Sequence, residues 1–438
     1  MIRFVRAASL AIVAALLLTA SVQLVAAAST DVSNGSGPAS SPHIAVSGSH
    51  VYAVWLNGTK SGIFASISKD SGATWGSPFA LSLSRSQDPH VAASGPNVYV
   101  TWTQFSKQGR RVVEFIASHN YGVTWTYPRD LSSPSFRSDS SRLVVSGSDV
   151  FVSWTDKSFN GAVIMFIASH DNGTLWGLPV DVSKAAGYSV NQVMTASQGV
   201  VYIAWQSTTS VSTQIRFSVS RSDGATFSTP INLSNDAGQA IQPAIAAVSG
   251  PSGNEVFVTW QDSSTGTNQI MLSSSSDSGS TWSSAQVVSR NLGSSTNPSI
   301  AASTNGMTSS IYVIWTLSGP HSSVVMEATS TNNGASFFGA SAVSPQGVNA
   351  TSPRIATRAG SSSVYIAWIG TVANGKATDA YLSTSLNGGM SWGSPQNVSN
   401  DGKASQVRLN DQTASTASIL MVWVDQSAGR GSVICTFV

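Results

Sequence analysis

Ser68-Lys69-Asp70-Ser71-Gly72-Ala73-Thr74-Trp75 decides the fold, because the chain writes it repeatedly. Ser275-Ser276-Asp277-Ser278-Gly279-Ser280-Thr281-Trp282 is a second clear copy, and looser ones start at Ser118, Ser169, Ser220, Ser330 and Ser385. The Asp position holds Asp70, Asn120, Asp171, Ser222, Asp277, Asn332 and Asn387 in turn, so the steps are 50, 51, 51, 55, 55 and 55 residues. A near-constant period of this length marks a repeat architecture. Within each box a short acceptor side chain suits the turn's own N–H groups, and Gly supplies a positive φ. Asn and Ser do that job as well as Asp, so the box reads as a turn and not as a metal or catalytic site.

Around each box lie four short segments. In the first unit they are His43-Ile44-Ala45-Val46-Ser47, Val51-Tyr52-Ala53-Val54-Trp55, Ile63 to Ser68, and Trp75 to Leu83. Short β-branched and aromatic runs separated by Gly, Ser, Asn and Pro predict strands joined by turns. The second strand ends in Trp55, Trp102, Trp154, Trp205, Trp260, Trp315, Trp368 and Trp423, and the other five tryptophans close boxes. A large flat ring at a fixed place in every unit suits packing between neighbouring sheets.

Eight second strands stand against seven boxes. The last unit, Ser405 to Val438, supplies three strands and ends. Asp31-Val32-Ser33-Asn34 matches the fourth-strand endings Asn232-Leu233-Ser234-Asn235 and Asn397-Val398-Ser399-Asn400, so the N-terminus is expected to complete the eighth unit. The prediction is an all-β β-propeller of eight four-stranded blades, closed by pairing the N-terminal strand with the C-terminal blade. Seven blades is the alternative.

The box resembles the Asp-box, or BNR, repeat of sialidases and other exported β-propellers, and the resemblance runs from residue 31 onward. It implies that the box joins third and fourth strands, away from the active site. Sialidases also carry an early Arg-Ile-Pro, three arginines that grip a carboxylate, a Tyr–Glu nucleophile pair and an Asp acid/base. Here the only glutamates are Glu114, Glu255 and Glu327, all placed by the repeat on second or third strands. Arg354-Ile355-Ala356 lacks the proline and falls in the seventh blade. No catalytic residue is therefore assigned.

Residues 1–28 read as a signal peptide or N-terminal anchor, with Arg3 and Arg6 ahead of an apolar run and Ala26-Ala27-Ala28 as the cleavage motif. Residues 29–438 form one propeller domain that is secreted or held at the cell surface. Beyond Arg3 and Arg6 the chain has 20 basic and 20 acidic residues out of 22 and 20, and no basic cluster suits nucleic acid. A membrane would be met only through the N-terminal segment if it is retained. Cys435 is the single cysteine, which leaves no intrachain disulfide and reads as a buried, inert thiol. No cofactor or metal is expected, because His43 and His90 have no fixed third ligand.

A ligand is expected at the channel mouth, where first strands begin and second strands end. Aligning the units puts His43, His90, Arg142, Gln192, Ala244, Ser299, Arg354 and Val407 at the starts of first strands. Two residues past the second-strand tryptophans come Asp156, Asp262 and Asp425, among others. In a chain with only 10% charged residues, His43, His90, Arg142, Arg354, Asp156, Asp262 and Asp425 make up the candidate binding rim. The expected function is non-catalytic binding of a glycan or cell-surface protein. An exo-acting glycosidase of sialidase type and a structural envelope component are the alternatives.

Overall fold

The computed structural model describes residues 29–106, 109–133, 137–157, 161–184, 187–234, 238–250, 253–290, 293–320, 322–358, 360–372, 375, 377–410, 419–427 and 431–438. The signal peptide or anchor expected over 1–28 lies outside them. Eight antiparallel four-stranded sheets form, and seven run consecutively from first to fourth strand. Their first strands, starting with Ala39–Ser47 and ending with Ala404–Leu409, touch one another in a closed circle around a central channel.

The eighth blade closes as expected. Thr30–Asp31 pairs with the last strand, Ser432–Phe437, through Thr30 opposite Cys435 and Asp31 opposite Ile434. Val32 N–H then donates to Val433 O at 2.8 Å. In blades 2 to 7 a serine just beyond the fourth strand accepts a third-strand N–H: Ser132 from Val113, Ser183 from Ile164, Ser234 from Ile215, Ser289 from Ile270, Ser344 from Val325 and Ser399 from Ala380. Ser33 does the same for Val433 at 3.1 Å, so the N-terminal segment fills the place its sequence match predicted.

The core is divided among the blade interfaces. All eight second-strand tryptophans are fully buried. Trp55 packs with Leu420 and Val422 of blade 8, Trp102 with Tyr52 and Val54 of blade 1, and the pattern continues around the ring. Each ring therefore removes its own blade and its neighbour from water together, which is why a short chain of small blades needs no disulfide. Cys435 lies in the first of these clusters, and burial raises its thiol pKa.

Each box is a third-to-fourth turn, and two bonds recur in all seven: the glycine N–H to the first serine, and the N–H four residues past the Asp position to the side chain there. In the first, Gly72 N–H donates to Ser68 Oγ at 2.7 Å, Thr74 N–H to Asp70 Oδ1 at 2.8 Å, and Trp75 Nε1–H to Gly72 O at 3.0 Å. Where Asn or Ser replaces Asp the bond persists: Thr124 N–H reaches Asn120 Oδ1 at 2.9 Å and Thr226 N–H reaches Ser222 Oγ at 3.0 Å. The box glycine has a second reason to lack a side chain. Gly224 sits at φ 89°, and a Cβ there would lie 2.5 Å from Phe166 of the preceding blade. Ser71 N–H bonds Ser49 O in the first-to-second hairpin, so boxes and hairpins share the end of the propeller opposite the mouth.

Candidate functional site at the channel mouth

Every first strand begins earlier than its apolar run suggests, because it is broken by a β-bulge. The register slips between Ser40 and His43 in blade 1, and at the equivalent place in the other seven. The first bulge residue is left-handed in all eight blades, at φ 49° to 57°: Ser41, Asp88, Ser140, Asn191, Gln242, Asn297, Ser352 and Gln406. A non-glycine residue in this region is uncommon, and eight in register form a built feature of the mouth. Some of these residues clip neighbouring blades together. Gln406 Oε1 accepts from Ser41 N–H, and Gln242 Oε1 from Asn297 N–H.

The bulge corrects the alignment made from sequence. The residue that follows it, where regular pairing resumes, is His43, His90, Arg142, Val193, Ala244, Ser299, Arg354 and Arg408. Gln192 and Val407 were each placed there one residue too early. Five blades mark the site with a proline at the second bulge position (Pro42, Pro89, Pro243, Pro298 and Pro353), and blades 3, 4 and 8 lack it. The slip hid Arg408. With it restored, five consecutive blades, 7, 8, 1, 2 and 3, carry Arg354, Arg408, His43, His90 and Arg142 at one structural position. Blades 4 to 6 carry small uncharged residues there.

Three of these side chains touch directly, and the charges of the other two, Arg354 and Arg408, act on His43. The His43 and His90 rings are 4.5 Å apart between centroids, and Arg142 Nη1–H donates toward His90 Nε2 at 3.3 Å. Each arginine folds back in the same way, with Nη1–H donating at 3.0 Å to the carbonyl oxygen of the residue before it: Ser141, Pro353 and Val407. Burial in the channel, followed by the charges of Arg408, Arg142 and Arg354, pushes the His43 pKa down to about 3. His90 is lowered by burial, then by His43, Arg142 and Arg408. His43 Nδ1 also faces Val91 N–H at 3.5 Å, so both rings are neutral acceptors at ordinary pH. Three permanent cations converge beside two uncharged imidazoles.

The sequence missed the carboxylates of this mouth. Asp88 is a bulge residue whose pKa is raised by burial, against the opposing pull of Arg142. Asp139, one residue before the blade 3 bulge, is buried and paired with Arg111 at 2.8 Å and Lys157 at 3.0 Å. Only the spacing of the bulge could have found them.

The three aspartates beyond the tryptophans stand elsewhere. Asp156, Asp262 and Asp425 pair with the very starts of first strands, at Ser138, Ala240 and Ala404. Asp262 accepts from Trp260 Nε1–H at 3.3 Å and Ser264 N–H at 2.8 Å, and Asp425 accepts from Ser427 N–H at 2.7 Å. Asp262 and Asp425 cap the loops that follow their second strands, and Asp156 and Asp262 are buried. Glu114, Glu255 and Glu327 lie on third, second and third strands, outside the arc. Among the described residues no group of three or more His, Cys, Asp or Glu side chains is placed to hold a metal.

No protein-family model and no curated protein matches the chain. Solved structures do. A protein of unknown function from Dyadobacter fermentans is 11% identical over 69% of this chain and 94% of its own, with TM-score 0.44. A Hadza microbial sialidase is 15% identical over 64% and 63%, with TM-score 0.40, so the chain spans under two thirds of it. The β-propeller domain of the trilobed protease from Pyrococcus furiosus is 7% identical over 84% and 97%, with TM-score 0.47. These likenesses assign no activity.

Proposed function

We propose that this chain is an exported, non-catalytic binding propeller that takes the acidic group of a surface glycan into the mouth of its channel. The observation that carries the reading is the five-blade arc of Arg354, Arg408, His43, His90 and Arg142. Guanidinium groups are the donors that match a carboxylate or sulfate in fork geometry, and they stay charged at every accessible pH. The neutral imidazoles accept hydroxyl protons, so a sugar bearing one acidic group would find both kinds of partner. A glycosidase needs two carboxyl groups about 5–10 Å apart across the bond. Among the described residues Asp88 lies within the electrostatic reach of Arg142, and Asp139 is already held by Arg111 and Lys157.

The test is calorimetry of the purified protein with acidic oligosaccharides (sialylated, uronate and sulfated) beside their neutral counterparts, followed by a fluorogenic glycoside panel. Binding confined to the acidic set, weakened by salt and lost in Arg408→Ala and Arg354→Ala, is the expected result. Equal affinity for neutral counterparts, or none for any acidic sugar, would overturn it. Turnover of a sialoside that disappears in Asp88→Asn would replace binding with hydrolysis.

A further inference from the structure

The repeat lengthens from 50 or 51 residues to 55 in the second half of the chain. In blades 5 and 6 the extra residues fall in the first-to-second hairpins, at the box end, and in blade 7 two fall there and two between Trp368 and the box. From the bulge residue to the buried tryptophan is 14 residues in blades 1 to 4, as in Ser41 to Trp55, but 18 in blades 5 and 6 and 16 in blade 7. In blade 6 they become the turn between Ser294–Thr304 and Ser309–Ser318, and in blade 7 Gly360, Ser361 and Ser362 stand ahead of the second strand, Val364–Val372. Between these hairpins and the blade 7 box lies a cavity of about 690 Å³.

A second observation at the cavity is independent of hairpin length. Six of the seven boxes carry a side chain on the left-handed residue before the box glycine: Ser71, Tyr121, Asn172, Asp223, Ser278 and Asn333. Blade 7 alone has glycine there. Gly388 lines the cavity, and a Cβ on it would meet nothing closer than Tyr312 Oη at 3.5 Å. The next variable position is an exposed methionine, Met390, which forms part of the wall. Side-chain bulk is missing at the floor where every other box has it.

The lining is uncharged throughout and rich in hydroxyl and amide groups, with Ser303, Thr304, Thr331, Ser361 and Asn387 among them. Such groups donate and accept in turn, as sugar hydroxyls do, while Met390 offers a soft apolar surface to C–H faces. The volume falls in the range of small-ligand sites, about 300–1,000 Å³. We infer that this cleft is a second binding site, built by the lengthened hairpins of blades 6 and 7 and opened by Gly388, that takes a short uncharged oligosaccharide.

The inference stands apart from the mouth, and the experiment keeps the two separable. Saturation-transfer NMR and calorimetry would be run with a panel of neutral trisaccharides (gluco-, manno-, galacto- and xylo-configured) in high salt, where anion binding at the mouth is screened. Gly388→Asn places into the cleft the residue that blades 3 and 6 already carry at this left-handed position, so the turn keeps its conformation. The expected result is binding of at least one trisaccharide, weakened tenfold or more in Gly388→Asn and unchanged in Ser71→Asn, its counterpart in blade 1. Circular dichroism and thermal melting confirm that both variants fold. Absence of binding across the panel, or equal binding by Gly388→Asn, would overturn the inference. Either result leaves the acidic-glycan reading standing or falling on its own titrations.

Discussion

The two ends of this propeller repeat themselves in opposite ways. At the box end the side chain changes from Asp to Asn to Ser, yet the same turn bond forms every time. At the mouth the backbone is what repeats, a left-handed bulge residue in each blade, while the side chain that follows runs from arginine and histidine to valine, alanine and serine. Variation that leaves a bond intact belongs to the scaffold. Variation that sorts charge onto one arc of a ring, on an unvarying backbone, gives the mouth one charged side. The blade 7 box departs from its own end by this measure: it keeps the bond but gives up the side chain at Gly388.

Breaking the scaffold half of this comparison should have the largest effect. Gly224→Ala forces a Cβ into a left-handed residue and against Phe166, and is expected to lower unfolding free energy by about 2–4 kcal/mol in urea titrations. At the mouth the effect moves from stability to binding. Arg408→Ala should weaken an acidic glycan roughly 10- to 100-fold, the size of one charge-assisted hydrogen bond, while the urea midpoint stays close to wild type. A large midpoint loss for Arg408→Ala would make the arc part of the scaffold and erase the contrast.

That contrast also marks what the sequence made legible. The boxes, the eight tryptophans and the match of Asp31-Val32-Ser33-Asn34 to fourth-strand endings are local and periodic, so blade number and closure could be read directly. The mouth was half legible. His43, His90, Arg142 and Arg354 were found because a proline precedes three of them and counting was easy. Arg408 was hidden because a bulge inserts one residue without any signature in hydrophobic alternation, and Val407 fits a strand pattern as well as its neighbour does. What the spacing of Asp262 and Asp425 could not show is that, two residues past a tryptophan, each accepts a backbone N–H from the loop that follows.

The histidines sharpen the comparison through pH. A neutral imidazole with its folded pKa lowered to about 3 is protonated more readily in the unfolded chain, near 6.5. The unfolded state therefore binds the extra proton between those values, and stability falls as pH drops below about 6.5, with the penalty fully present below about 3. His43→Gln keeps an uncharged acceptor and removes the titration. Its urea midpoint should fall less steeply than wild type between pH 6 and 4, and an identical slope would mean that His43 is already cationic in the folded arc. An acidic ligand in the mouth should reduce the same slope, because its charge offsets that of the arginines.

The smallest effect should come from the box side chain itself, and it tests whether the bond or the charge is what repeats. Asp277 accepts Thr281 N–H at 2.9 Å and Thr281 Oγ1–H at 2.6 Å, and Ser280 N–H reaches it at 3.0 Å. Burial is the largest single influence on its pKa and acts to raise it, but the bonds to Thr281, Ser275 and Ser280 together outweigh it and draw the pKa down to about 2. A depressed carboxyl contributes stability above the unfolded pKa near 4 that is lost as pH falls toward 2, the opposite arm from His43 but with the same sign of slope. The turn is exposed, so solvent weakens the effect well below what the shift alone would suggest. Asp277→Asn makes the Asn120 and Asn332 arrangement, and should leave the midpoint at neutral pH within about 0.5 kcal/mol while removing the acid-side loss. Asp277→Ala strips the acceptor from three donors and should cost about 1 kcal/mol at any pH above 4. If Asn were as damaging as Ala, charge and not geometry would hold the box, and the tolerance of Asn and Ser in four of seven copies would need another cause.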